Sequence, residues 1–201
     1  TPLDILIHLL IGSEGTLGVI TELTVRLHGR PEAVAAATCY FHDIESAVRT
    51  VITTIQLGIP VARIELLDEV QVEAVNRFSK LSYPVFPTLF FEFHGLSDRD
   101  VTEQAVTVGQ IAEEHGGKDF ARALTPEARA ELWQARHDAY YAAIALSPGR
   151  KGIATDACVP ISRLADCIVE TREDIDGSGL VAPIVGHVGD GNFHLVIVVD
   201  P

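Results

Sequence analysis

Two histidines, His187 and His194, close the run Gly186-His-Val-Gly-Asp-Gly-Asn-Phe-His194. Asp190-Gly191 at its centre is a hairpin turn signal, because both residues tolerate positive φ. A two-residue turn there sets Gly189 against Asn192, Val188 against Phe193 and His187 against His194. Directly opposed residues on one face of an antiparallel pair hold their Cβ atoms roughly 4.5–5.5 Å apart. Two imidazoles so placed can share a divalent metal, with Zn–N bonds of about 2.0–2.1 Å. The plainer alternative is a pair of histidines that only flank a turn.

A second run, Leu10-Ile-Gly-Ser-Glu-Gly-Thr-Leu-Gly-Val-Ile-Thr-Glu22, spaces its glycines at positions 12, 15 and 18. It lacks the lysine of a phosphate-binding P-loop. Its physical merit is a tight backbone that can approach a cofactor and turn N–H groups toward it. Arg136 falls in a helical stretch with Trp133, Tyr140 and Ile144 spaced to share its face. It could grip a carboxylate, or lie over an aromatic ring as a structural cation. Asn192 could hydrogen-bond a substrate or brace the turn. Thr155 and Asp156, inside a strand-like run, read as structural.

These residues sit in 201 residues with 47% hydrophobic and 21% charged side chains, the composition of a folded protein. Fifteen basic against 28 acidic residues leave a net charge of −13. Such a surface repels phosphate backbones and anionic lipid, which argues against a nucleic-acid or polybasic membrane role. A small anionic substrate would need a local arginine or metal to overcome that field. The cysteines Cys39, Cys158 and Cys167 form no CxxC pair and read as small buried residues of a reducing compartment. The segment from Thr1 to Ile11 is apolar but short and holds Asp4 and His8, so it reads as neither signal peptide nor transmembrane helix. It reads as a segment to be buried against something.

The elements that would position the chemistry alternate along the chain. Residues 19–27 alternate polar and apolar like a half-buried strand, and Gly29-Arg-Pro31 then marks a domain boundary. Further strand-like runs cover 35–41, 61–67, 89–94, 120–124, 152–159, 181–185 and 193–199. Helices are expected over 44–57 behind Asp43, from Asp68 to about 81, from Asp98 or Asp100 to 114, from Thr125 to about 146, and from Ser162 to about 175. Runs such as Phe90-Phe-Glu-Phe-His94 mix apolar and polar residues, which favours a half-exposed antiparallel sheet over a parallel one. The expected class is α+β: an antiparallel sheet with helices on one face, as two fused ferredoxin-like units.

The strings Gly-Ser-Glu-Gly-Thr-Leu-Gly-Val-Ile-Thr-Glu (12–22) and Gly-His-Val-Gly-Asp-Gly-Asn-Phe-His (186–194) together resemble the FAD-linked oxidase family. That family joins a vanillyl-alcohol-oxidase-type FAD domain to a ferredoxin-like substrate domain. It holds D-lactate dehydrogenases, D-2-hydroxyglutarate dehydrogenases and glycolate oxidase flavoprotein subunits. The stretches 135–143 and 155–164 are most similar to the D-lactate branch.

The resemblance implies that residues 1–30 are the C-terminal remnant of the FAD-binding domain and that 31–201 form a substrate and metal domain, truncated at its C-terminus. It implies that Gly12, Ser13, Glu14, Gly18 and Ile20 line FAD, and that His187 and His194 ligate zinc or manganese. A third ligand, a glutamate, and the catalytic base are expected beyond Pro201, so that this fragment alone would be inactive. Arg136, with Tyr140 and Asn192 nearby, would bind the substrate. Ala154 stands where the D-2-hydroxyglutarate branch carries a lysine for the distal carboxylate, which favours D-lactate or a similar small 2-hydroxy acid. Electrons would pass to a cytochrome, a quinone or an electron-transfer flavoprotein. A homodimer is compatible, in the cytoplasm or peripheral to an energy-transducing membrane, mitochondrial in a eukaryote. A metal-dependent hydrolase and a non-catalytic interaction domain are the readings from other classes.

Overall fold

The computed structural model describes residues 9–200, so most of the apolar N-terminal segment read above lies outside the described residues. The chain divides into two units, Thr1–Arg30 and Pro31–Pro201. The second runs β1 (Ala33–Tyr40), α1 (Ile44–Gln56), β2 (Val61–Leu67), α2 (Glu69–Ser79), β3 (Thr88–Gly95), α3 (Asp98–Glu114) and β4 (Lys118–Ala123). It continues through α4 (Pro126–His137), α5 (Ala139–Ala145), β5 (Lys151–Ala154), β6 (Ala157–Cys158), α6 (Leu164–Ser178), β7 (Ile184–Gly186) and β8 (Asn192–Val199). All strand pairs are antiparallel and form one eight-stranded sheet in the order β4-β1-β3-β2-β7-β8-β5, with β6 also on β8. This is the α+β antiparallel architecture expected.

The order β4-β1-β3-β2 is that of a ferredoxin-like unit, and β5, β8 and β7 repeat its 1-3-2 portion with α6 as the first helix. The two halves meet where β2 pairs with β7, through Leu66↔Gly186 and Leu67↔Val185. Helices cover both faces, which corrects the expectation of one. Ala35, Ala37, Phe91 and Phe93 pack toward α1, α3 and α6, whereas Ala36, Leu67, Phe90 and Val185 pack toward α2, α4 and α5. The reason lies in β1, whose Ala-Val-Ala-Ala-Ala run has no polar face, and whose small side chains let helices close on both sides. Each fully buried phenylalanine contributes roughly 1.5–3 kcal/mol of apolar burial.

The helix starts follow capping chemistry. Asp43, Asp68, Ser97 and Thr125 each accept a backbone N–H from three residues on. Ser97, rather than Asp98 or Asp100, caps α3. The single helix expected over 125–146 is broken at Asp138, whose carboxylate accepts from Ser79 Oγ at 2.6 Å and Gln134 Nε2 at 2.8 Å. The last helix begins at Leu164, after a 3₁₀ turn over Ile161–Arg163. Of the cysteines only Cys39 is buried, and Cys158 is exposed, against the expectation that all three are buried. Burial pushes the Cys39 thiol up to about 11, so it is a neutral core group.

In the first unit, residues 19–27 form no strand. Alternation alone does not make one: a ladder needs a partner, and Val19, Leu23, Val25 and Leu27 are all more than half exposed. The glycine-rich run is a pair of turns, with Ser13 N donating to Leu10 O and Thr16 N to Ser13 O.

Candidate functional site

The hairpin differs from the two-residue turn read from the sequence. His187 O accepts from Asp190 N at 3.0 Å and from Asn192 N at 3.3 Å, and Val188–Asp190 form a 3₁₀ turn. The ladder pairs Val185, not His187, with His194. The register is therefore offset by two residues, and an even offset keeps every side chain on its face. His187 and His194 become diagonal neighbours, with ring centroids 5.6 Å apart and planes at 86°.

The glycines of this segment serve the packing. A Cβ on Gly186 would stand 2.8 Å from both Asn192 O and Phe193 Cβ. Gly191 has φ +76°, and a Cβ there would strike Val159 O. That region favours glycine, and the backbone contact leaves nothing to yield.

Around the histidines, side chains from four elements converge on the sheet face that carries α2, α4 and α5. Glu65 from β2 accepts from His187 Nδ1 at 2.8 Å and from Arg136 Nε at 2.8 Å. Its side chain is 4% exposed, against 19% for Arg136 and 47% for His187. Arg136 Nη2 lies 3.3 Å from His187 Nε2, and its Nη1 has no hydrogen-bond partner among the described residues. His194 Nδ1 faces the Thr155 carbonyl at 3.1 Å and Asp156 Oδ1 at 3.4 Å. Carboxylates and carbonyls cannot donate, so the neutral rings carry their proton on Nδ1; His194 Nε2 is then free, while His187 Nε2 accepts from Arg136 Nη2. Metal-binding histidines are usually braced in this way. Among the described residues, no group of three or more His, Cys, Asp or Glu side chains is arranged to hold a metal ion.

On the far side, β5 and β6 both pair with β8 in a common register that places Asp156 across from His194. Asn192 Nδ2 donates to Asp156 Oδ1 at 2.6 Å and to Ala157 O at 3.2 Å. Its amide hydrogens are thus engaged with the neighbouring strand, which leaves Oδ1 for a ligand. Tyr140 stands apart from these contacts, 41% exposed, its hydroxyl donating to Gly152 O at 3.3 Å. The cation on the aromatic face is Arg63, 4.0 Å over the Trp133 ring, and not Arg136. Gly12, Ser13, Glu14, Gly18 and Ile20 belong to the other unit, where Gly12 (φ 79°), Glu14 (φ 50°) and Gly15 (φ 80°) turn an exposed backbone.

The sequence reading missed Glu65; Asp156, read as structural, braces Asn192 and His194. A signal for Glu65 existed: it is a lone charge between Ile64 and Leu66-Leu67, where an unpaired carboxylate would be costly.

Residues 30–201 match the family described as FAD linked oxidases, C-terminal domain. The chain belongs to this family. Among curated proteins it is 54% identical over 196 residues to the probable mitochondrial D-lactate dehydrogenase of Danio rerio, covering 98% of this chain and 39% of that protein. It is 45% identical to the mitochondrial D-lactate dehydrogenase [cytochrome] of Arabidopsis thaliana, covering 98% and 34%. It is 30% identical to the glycolate oxidase subunit GlcD of Escherichia coli (strain K12), covering 97% and 39%. The chain thus spans two fifths or less of the length of these relatives. Among solved structures, alkyldihydroxyacetonephosphate synthase superposes with a TM-score of 0.66 at 16% identity, covering 96% of this chain and 42% of that one. A 4-ethylphenol oxidase from Gulosibacter chungangensis does so with a TM-score of 0.61 at 13% identity, covering 87% and 40%. At those identities the likeness concerns the fold.

Proposed function

We propose that this chain is the substrate- and metal-binding portion of a larger FAD-dependent dehydrogenase that oxidises a small D-2-hydroxy acid such as D-lactate to the 2-oxo acid. The observation that carries the reading is the convergence of His187 and His194, each braced at Nδ1, with the partly buried guanidinium of Arg136 beside them. The donor set fits a divalent ion, because two braced imidazoles suit zinc or manganese once Arg136 Nη2 gives up its place at His187 Nε2. A divalent ion held by His187 and His194 would lower the pKa of the substrate's 2-hydroxyl. FAD, along the open turns at Gly12, Ser13, Glu14, Gly18 and Ile20, would accept the α-hydride.

The chain's own residues would orient the acid. Arg136 is anchored to Glu65 through Nε, so Nη1 remains to hold the substrate carboxylate by a charge-assisted bond. In that arrangement the 2-hydroxyl would face the histidines, with Asn192 Oδ1 as an acceptor. The names of the two D-lactate relatives, both mitochondrial and that of Arabidopsis thaliana designated [cytochrome], support a cytochrome as electron acceptor and a mitochondrial setting. No helix among the described residues is long and apolar enough to cross a membrane.

The test uses the full-length flavoprotein. His187→Asn and His194→Asn should each lose bound zinc or manganese together with D-lactate turnover, while the flavin spectrum stays. Variants that retain both metal and turnover would sink the site. Ala154, exposed on β5, supports a monocarboxylate substrate, since a lysine there could add a charge-assisted bond of about 1.5–3 kcal/mol to a second carboxylate. A kcat/KM for D-2-hydroxyglutarate well above that for D-lactate would favour the dicarboxylate instead.

A further inference from the structure

One buried carboxylate touches both groups assigned above to binding. Glu65 is fixed in the middle of the sheet, paired with Phe90 on one side and one residue from the Leu66↔Gly186 pair on the other. Its Oε1 and Oε2 are each committed at 2.8 Å, one to His187 and one to Arg136. With Arg136 Nη2 3.3 Å from His187 Nε2, the three side chains close a ring of contacts.

We infer that Glu65 is a positioning residue that holds His187 in its Nδ1–H tautomer and aims Arg136 beside it. The inference rests on the reading that His187 and Arg136 bind the metal and the acid. A carboxylate serves both because it accepts twice and never donates. Glutamine has the same shape and only one acceptor. Arginine only donates, so the glutamine oxygen turns to Arg136 and its NH₂ faces His187 Nδ1. The ring then accepts at Nδ1 and carries its proton on Nε2, which breaks the contact with the Arg136 Nη2 donor and removes the lone pair a metal needs.

The experiment reads the tautomer directly by two-bond ¹H–¹⁵N spectra of the histidine rings in the full chain, at a pH where they are neutral. His187 is assigned by the loss of its signals in His187→Asn. The expected result is Nδ1–H in the wild type, Nε2–H in Glu65→Gln, and Nδ1–H again in Glu65→Asp. Zinc affinity by calorimetry should fall about 10–100-fold in Glu65→Gln. A wild-type His187 found as Nε2–H overturns the inference without any variant, as does an unchanged tautomer in folded Glu65→Gln. Full-length wild-type flavoprotein with the Nδ1–H tautomer and no zinc uptake would overturn the metal reading and leave the role of Glu65 standing.

Discussion

Glu65 and Asp68 lie three residues apart at the seam between the halves of the sheet, and each is a buried acid paired with an arginine. Their other partners differ in kind. Asp68, fully buried, caps α2 through Gln71 N at 2.7 Å, accepts Ile184 N at 2.9 Å and meets Arg172 at 3.1 Å. It ties β2, α2, α6 and β7 together, and two of its three donors are backbone N–H groups; Arg172 also pairs with Asp176 at 2.8 Å. Glu65 takes only side-chain donors, and one of them, His187, is half exposed. Backbone donors make a clamp, whereas side-chain donors at a rim make groups that are held yet available to a ligand.

The comparison breaks first at Asp68. Asp68→Ala should destabilise the fold by about 3–5 kcal/mol, since it leaves two buried backbone N–H groups without their acceptor and Arg172 with Asp176 alone. Urea unfolding checks this, and a loss below about 1 kcal/mol would remove the clamp. Burial pushes the Asp68 carboxyl from 3.8 up to about 7, against the pull of its hydrogen bonds and of Arg172. A raised folded pKa favours the protonated fold, so this group's contribution is complete below its unfolded pKa and is lost as pH rises through about 7. Relative to Asp68→Asn, the wild-type urea midpoint should therefore fall between pH about 4 and about 7. A wild type that gains on the variant across that window contradicts the shift.

The next contrast sets the two arginines against each other. Arg136→Met in the full-length flavoprotein should lower kcat/KM for D-lactate by roughly one to two decades, the worth of a lost charge-assisted bond of about 1.5–3 kcal/mol. Arg172→Met should lower the unfolding midpoint and leave kcat/KM of the folded protein unchanged. Equal kinetic losses in both variants would erase the distinction between clamp and site.

Why the pairing of the histidines is legible in the sequence and the partners of Glu65 are not follows from the same geometry. Face parity has period two, so His187 and His194 share a face whether the turn holds two residues or the 3₁₀ turn that forms. Only the register was wrong, because a 3₁₀ turn and Gly186 pressed against Phe193 are tertiary facts. Glu65 meets Arg136 across 71 positions and His187 across 122, separations that no local pattern encodes. The helix caps at Asp43, Asp68 and Thr125 were legible because their chemistry is local. The second helical layer was not, because strands of mixed polarity such as β3 hide the two-sided burial that β1 displays.

The smallest effect calibrates the others. Arg49 and Glu45 form an ion pair at 2.6 Å on α1, four residues apart, with side chains 57% and 50% exposed. The contact is no longer than those of Glu65 or Asp68, so distance alone would rank it equal. Water screens it, and fixing two long side chains costs entropy, so such pairs contribute about 0.3–0.5 kcal/mol. Arg49→Ala should therefore change the unfolding free energy by less than about 0.5 kcal/mol, the more so because alanine is the better helix former. At about 1 M salt the Debye length is roughly 3 Å and the residue of that effect should vanish. The Asp68 loss should survive the same salt, since its partners are buried where ions do not reach. An Arg49→Ala loss comparable to that of Asp68→Ala would mean that geometry rather than burial sets these energies, and the contrast between the two seam carboxylates would lose its physical basis.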